Sequence, residues 1–153
     1  MALVDYLGET TICTNLAGKD RDEAVRSLLE RFVTGKMLGK DTLGTALTAV
    51  LDREKLGSTA IGNGVAVPHA RIKEIKGVLV AFGFSREGVE FNALDRSAVH
   101  MIFLVLGPKE GADDYLTVLQ HISKLVQNGD FRRFVSRART GRDVVELIRE
   151  MDV

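Results

Sequence analysis

Apolar residues recur every three or four positions through the first third of the chain, at Ala24, Val25, Leu28, Leu29, Phe32 and Val33. That period is one face of an α-helix, and Asp20 followed by Glu23 reads as a capping box at its start. A second helix is predicted from Asp41 to near Gly57, with Leu43, Ala46, Leu47, Val50 and Leu51 turned inward. The pattern then changes. Residues 59–69 are rich in glycine and valine and read as an extended segment broken by a turn. Residues 77–84 are apolar without clean alternation, as in a strand buried on both faces. Residues 85–88 read as a turn and 89–91 as a short return strand. Residues 98–106 form the strongest strand signal, ended by Gly107 and Pro108.

Helical spacing returns after that. Asp113 or Asp114 can cap a long helix carrying Leu116, Leu119, Ile122, Leu125 and Val126. Phe131, Phe134 and Val135 predict a short helix, and Thr140 with Asp143 caps a last one bearing Val144, Val145, Leu147 and Ile148. Helices come first, strands in the middle and helices last. The expected fold is α/β, a single-domain sandwich over residues 1–153 with a mixed central β-sheet flanked by helices on both faces. A chain of 153 residues suits one real core and is too short for two ordinary ones.

Composition narrows the function classes. Lys plus Arg and Asp plus Glu are 21 each, so no global field favours nucleic acid or an acidic membrane. An acidic partner must be met by a local patch. Cys13 is the only cysteine, which excludes an intramolecular disulfide, and no Cys/His metal spacing occurs. His69, His100 and His121 are scattered, and no metal or organic cofactor is expected. The longest apolar run is too short to cross a bilayer, and the N-terminus lacks a signal-peptide pattern. The expected location is cytoplasmic, without membrane insertion.

The chemistry concentrates in residues 57–71, Gly-Ser-Thr-Ala-Ile-Gly-Asn-Gly-Val-Ala-Val-Pro-His-Ala-Arg. Pro68 fixes its own backbone and pushes Val67 toward extended geometry, so His69 leaves a stiff segment. Gly57, Gly62 and Gly64 permit tight turns or close ligand approach. By residue type alone, His69 reads first as an ordinary packed or exposed side chain, and Arg53 reads equally as a helix-end cation. The glycines match neither the Walker nor the dinucleotide-binding pattern. The whole string carries the signal: a rigidly presented histidine beside small residues and arginines suits a group that meets phosphate.

The run from Arg53-Glu-Lys-Leu-Gly-Ser-Thr through Gly62-Asn63-Gly64 to Pro68-His69 resembles the enzyme IIA domain of the fructose–mannitol class of the sugar phosphotransferase system. It is most similar to the standalone nitrogen-regulatory branch. The resemblance extends through residues 88–91, the strand at 99–106 and the helix after Asp114. It implies a phosphohistidine carrier in which His69 accepts a phosphoryl group on Nε2 from HPr or a nitrogen-branch HPr-like protein. It places Arg53 near the phosphate; read from the residues themselves, the amides of Gly62, Asn63 and Gly64 are further candidate stabilisers, and Arg71 either assists or only meets the incoming carrier. Tyr115 stands where the family commonly has a second histidine, and its hydroxyl is expected close to the His69 ring. Tyrosine can donate a hydrogen bond to phosphate but supplies no positive charge. Three outputs follow from the resemblance: regulation of transporters or kinases through the phosphorylation state, dedicated fructose- or mannitol-type uptake with a sugar-specific IIB component, or a non-phosphorylated binding module of the same fold.

Overall fold

A computed structural model describes residues 2–93 and 95–152. Six strands form one mixed sheet: β1 (Ile12–Cys13), β2 (Ala60–Gly62), β3 (Val65–Ala66), β4 (His69–Ile72), β5 (Leu79–Val89) and β6 (Val99–Pro108). The order is β1-β5-β6-β3-β2, with β4 also paired to β6. Helices α1 (Arg21–Thr34) and α2 (Leu43–Lys55) lie on one face. Helices α3 (Asp114–Val126), α4 (Gly129–Val135) and α5 (Gly141–Met151) cover the other. The sandwich is as expected from the sequence.

Alternation along β6 builds two cores from one strand. Ile102, Leu104 and Leu106 join Leu28, Leu29, Phe32, Ala46 and Val50 on the α1–α2 side. Met101, Phe103 and Val105 join Val118, Ile122, Phe131, Val144 and Ile148 on the α3–α5 side. Both faces are covered, which is why the strand reads as a continuous apolar run. None of the described helices is long and apolar enough to cross a membrane.

Local chemistry sets the helix ends. Asp20 accepts from the Glu23 amide at 2.9 Å, while the Glu23 carboxyl reaches back to the Lys19 amide. Thr140 and Asp143 form a complete reciprocal capping box on α5. The second helix starts later than expected, with a 3-10 turn at Lys40–Thr42 leading into α2.

Two expectations are corrected. Residues 85–88 are not a hairpin turn. β5 runs on through them as a bulge, with Phe84 opposite Met101 and Val89 opposite Val99. His100 holds the bulge by donating from Nδ1 to the Ser85 carbonyl at 2.7 Å, a partner distant in sequence. In α3 the inward face is set by Tyr115 and Val118 rather than Leu116, which is 64% exposed. Residues 115, 118, 122 and 125 repeat as well as the expected set, and contact with the sheet decides between them.

β3 and β4 lie end to end along one side of β6, both parallel to it. Ala66 faces Ile102 and His69 faces Val105, three residues on in each strand, so the register survives the break at Val67 and Pro68. The Val105 amide donates to the Pro68 carbonyl at 3.0 Å. Proline lacks an N–H and is tolerated at such an interruption. The backbone position of His69 is thereby fixed to the central strand.

Candidate functional site

Ala70 and Ile72 point into the α1–α2 core, so alternation turns His69 and Arg71 to the opposite face of β4. His69 is half-buried and lines a 210 Å³ pocket with Arg53, Ser58, Thr59, Val67, Leu119 and Ser123. The pocket joins the C-terminal end of α2, the segment after it, the β3–β4 break and the middle of α3.

The His69 ring is oriented by its own chain. Nδ1 lies 2.7 Å from the Val67 carbonyl oxygen. A carbonyl only accepts, so Nδ1 is the protonated nitrogen of the neutral ring, and Nε2 keeps its lone pair. The acceptor that selects the tautomer is thus two residues upstream, across the proline.

Arg53 reaches the same pocket from the last turn of α2. Its Nη1 donates to the Gly57 carbonyl at 2.9 Å, which folds the chain after the helix back toward the guanidinium. The structure therefore brings Arg53 and His69 together.

Arg71 has another engagement. It donates from Nε to the Pro108 carbonyl at 3.0 Å and from Nη2 to the Gly111 carbonyl at 3.3 Å. Its guanidinium sits 4.8 Å from the centre of the Tyr115 ring. Arg71 pins the loop between β6 and α3 while remaining on the His69 face of β4.

Tyr115 is 5% exposed and packs on Gly107, where an added Cβ would drive into its ring. Among the described residues it makes no hydrogen bond to His69, and α3 contributes Leu119 and Ser123 to the His69 pocket instead. Burial raises the phenol pKa, partly opposed by the nearby charges of Arg71 and Arg53. The hydroxyl thus lies within the field of both arginines and stays protonated, a neutral donor.

Gly62, Asn63 and Gly64 lie elsewhere, which corrects their assignment as phosphate amides at His69. They form the β2–β3 turn, with φ of 106°, 59° and 73°. The Gly64 carbonyl accepts from the His100 and Met101 amides. Four steps along β6 lead from Met101 to Val105, roughly 13 Å at ~3.3 Å per residue. The turn faces the Asp95 carboxylate, which hydrogen bonds from the Ser97 hydroxyl and amide hold below the usual carboxylate range. The glycines serve the turn.

The other histidines are occupied. His100 staples the bulge, and His121 Nδ1 lies 2.6 Å from Asp152 Oδ1 near the end of α5. Among the described residues no cluster of His, Cys, Asp and Glu could hold a metal ion.

Sequence reading missed Glu54. It is 3% exposed and accepts from the Thr59 amide at 3.1 Å and from the Thr59 hydroxyl. The clue was its position, since Ala46, Val50 and Glu54 share one helical face at four-residue spacing.

Residues 5–151 match the family model of the phosphoenolpyruvate-dependent sugar phosphotransferase system, EIIA 2. The chain belongs to this EIIA family. Among EIIA relatives, it is 30% identical to the fructose-specific EIIA component of Haloferax volcanii over 132 residues, 86% of this chain and 84% of that one. It is 24% identical to a nitrogen regulatory protein of Bradyrhizobium diazoefficiens, covering 97% and 95% of the two chains. It also matches the fructose-specific EIIABC component of Bacillus subtilis at 26% identity, spanning 24% of that longer protein. The crystal structure of nitrogen regulatory protein IIA-Ntr from Neisseria meningitidis superposes with a TM-score of 0.85 at 25% identity, covering 95% and 98% of the chains. The family is a phosphotransfer component, and the IIA-Ntr fold is the sandwich described above.

Proposed function

We propose that this EIIA protein carries phosphate on Nε2 of His69, received from the phosphohistidine of HPr or a nitrogen-branch HPr-like carrier in the cytoplasm. The observation that supports this most directly is the His69 Nδ1–H bond to the Val67 carbonyl, which leaves Nε2 as the free nucleophile in a pocket shared with Arg53.

In the transfer, the lone pair of Nε2 forms a new P–N bond as the carrier's P–N bond breaks. The electron pair of the broken bond returns to the carrier ring. His69 keeps its Nδ1 proton and gains positive charge, which the Val67 carbonyl dipole stabilises. Transfer of this kind depends chiefly on alignment and on neutralising the equatorial oxygens. Arg53 supplies that charge, and Leu119 and Ser123 bound the pocket on its α3 side.

The physiological output is regulatory, through proteins that read the phosphorylation state, as the likeness to nitrogen regulatory proteins suggests. A second reading is sugar uptake with a IIB component, favoured by the fructose-specific relative. Incubation with phosphoenolpyruvate, enzyme I and HPr, followed by intact-mass measurement in alkali, tests the phosphocarrier role. One alkali-stable, acid-labile phosphate is expected in the native chain and none in His69→Ala. A phosphorylated His69→Ala protein would refute it. Onward transfer to a fructose-type IIB would favour the second reading.

A further inference from the structure

Among the described residues Glu54 is the one acidic residue buried as a whole; the buried carboxylate of Asp152 is met by His121, whereas no arginine or lysine bonds Glu54. Its two oxygens are committed to one residue, accepting from both the amide and the hydroxyl of Thr59. A buried carboxyl is expensive to desolvate, and satisfaction by two donors offsets that cost. The connection continues inward. The Thr59 carbonyl accepts from the Val67 amide at 3.3 Å, and the Val67 carbonyl accepts from His69 Nδ1 at 2.7 Å.

Four residues therefore form one line from the end of α2 to the nucleophile. The two faces of the Val67 peptide unit matter most. Its N–H is held on one side by Thr59, and its carbonyl holds the imidazole two residues on. Pro68 cannot contribute an N–H to keep the break in place. Ser58 braces the same segment by donating to the Phe91 carbonyl and accepting from the Ala60 amide, both at 3.1 Å. Hydrogen-bonded chains of this kind reinforce one another.

We infer that Glu54 is the positioning residue of the site: through Thr59 and the Val67 backbone it fixes the Nδ1–H tautomer and the aim of His69. This rests on the phosphocarrier reading only for its consequence, since ring orientation exists before any phosphate arrives. Removing Glu54 as an acceptor frees the Thr59 segment, lets Val67 rotate, and admits the opposite tautomer, in which Nε2 carries the proton and cannot attack.

The test is long-range 1H–15N NMR of 15N-histidine-labelled, unphosphorylated protein, with Val67 amide exchange and transfer kinetics from HPr. Glu54→Gln places an NH2 group against the Thr59 donors. The expected result is a rise in the Nε2–H tautomer of His69 to a comparable population. Val67 amide exchange should speed about tenfold, and kcat should fall about tenfold with little change in KM for HPr. Thr59→Val, which keeps the amide but removes the hydroxyl, should shift the same signals less, and it serves as the decisive variant if Glu54→Gln does not fold. An unchanged tautomer and unchanged Val67 exchange in a folded variant would overturn the inference. A native protein that takes no phosphate would refute the phosphocarrier reading while leaving the tautomer result to stand or fall separately.

Discussion

At the residue scale, the site divides its work between backbone and charge. The Val67 carbonyl selects which nitrogen of His69 is free. Arg53 is the cation sharing its pocket, though one donor is spent on Gly57. A charge-assisted hydrogen bond is worth ~1.5–3 kcal/mol, so Arg53→Ala should slow transfer by roughly ten- to a hundredfold. Arg53→Lys should recover part, because lysine restores charge without the forked geometry. Equal single-turnover rates in all three proteins would reduce Arg53 to a helix-end clamp. Tyr115 acts differently. Its ring braces Arg71 and packs on Gly107, so Tyr115→Phe should leave transfer nearly unchanged, while Gly107→Ala should destabilise the fold by ~1–3 kcal/mol through overpacking. Denaturant unfolding of Gly107→Ala checks the second figure. The sequence made His69 and Arg53 legible because stiff local geometry and family resemblance converge on them. It misled at Gly62–Gly64, whose glycines answer a turn that faces Asp95 and His100. It could not show Glu54, whose burial depends on how α2 meets the chain after it.

At the element scale, short-range chemistry was readable and long-range pairing was not. Asp20 and Thr140 cap α1 and α5 as their sequences imply. Replacing Thr140 with alanine should cost ~1 kcal/mol in chemical denaturation, the usual value of a lost N-cap. The bulge at 85–88 has no local signature, because the group that holds it, His100, lies on the neighbouring strand. The outward turn of Leu116 had the same origin: α3 carries two similar apolar stripes, and the sheet selects one. Another long-range link joins the chain's beginning to α3, where the Tyr6 hydroxyl donates to Asp114. That bond, with burial and the charges of Asp114 and Asp5, pushes the Tyr6 pKa up to about 12. A folded pKa above the unfolded value of 10.0 stabilises fully below pH 10 and is lost as pH climbs toward 12. Melting temperatures should therefore fall more steeply between those values in the native protein than in Tyr6→Phe. Parallel profiles would show that the link adds nothing.

At the scale of the whole molecule, two of the segments that line the His69 pocket also carry exposed apolar side chains. Leu56, 84% exposed, follows α2 beside the Arg53–Gly57 contact. Leu116, 64% exposed, lies one turn before Leu119, which lines the pocket. Large exposed apolar side chains on these segments suit contact with a partner protein, as the proposed transfer to His69 requires. Leu56→Ser and Leu116→Ser should each raise the KM for HPr severalfold without lowering the melting temperature. A drop in stability with unchanged KM would mean these residues serve packing. The central claim, however, is chemical: phosphate goes to Nε2 of His69 because Val67 holds the proton on Nδ1. Long-range 1H–15N NMR of 15N-histidine-labelled protein, before and after phosphorylation by HPr, tests it directly. The spectrum should change at His69 alone, with phosphate on Nε2 and the proton retained on Nδ1. A phosphorylated Nδ1, or phosphate on His100 or His121, would contradict it.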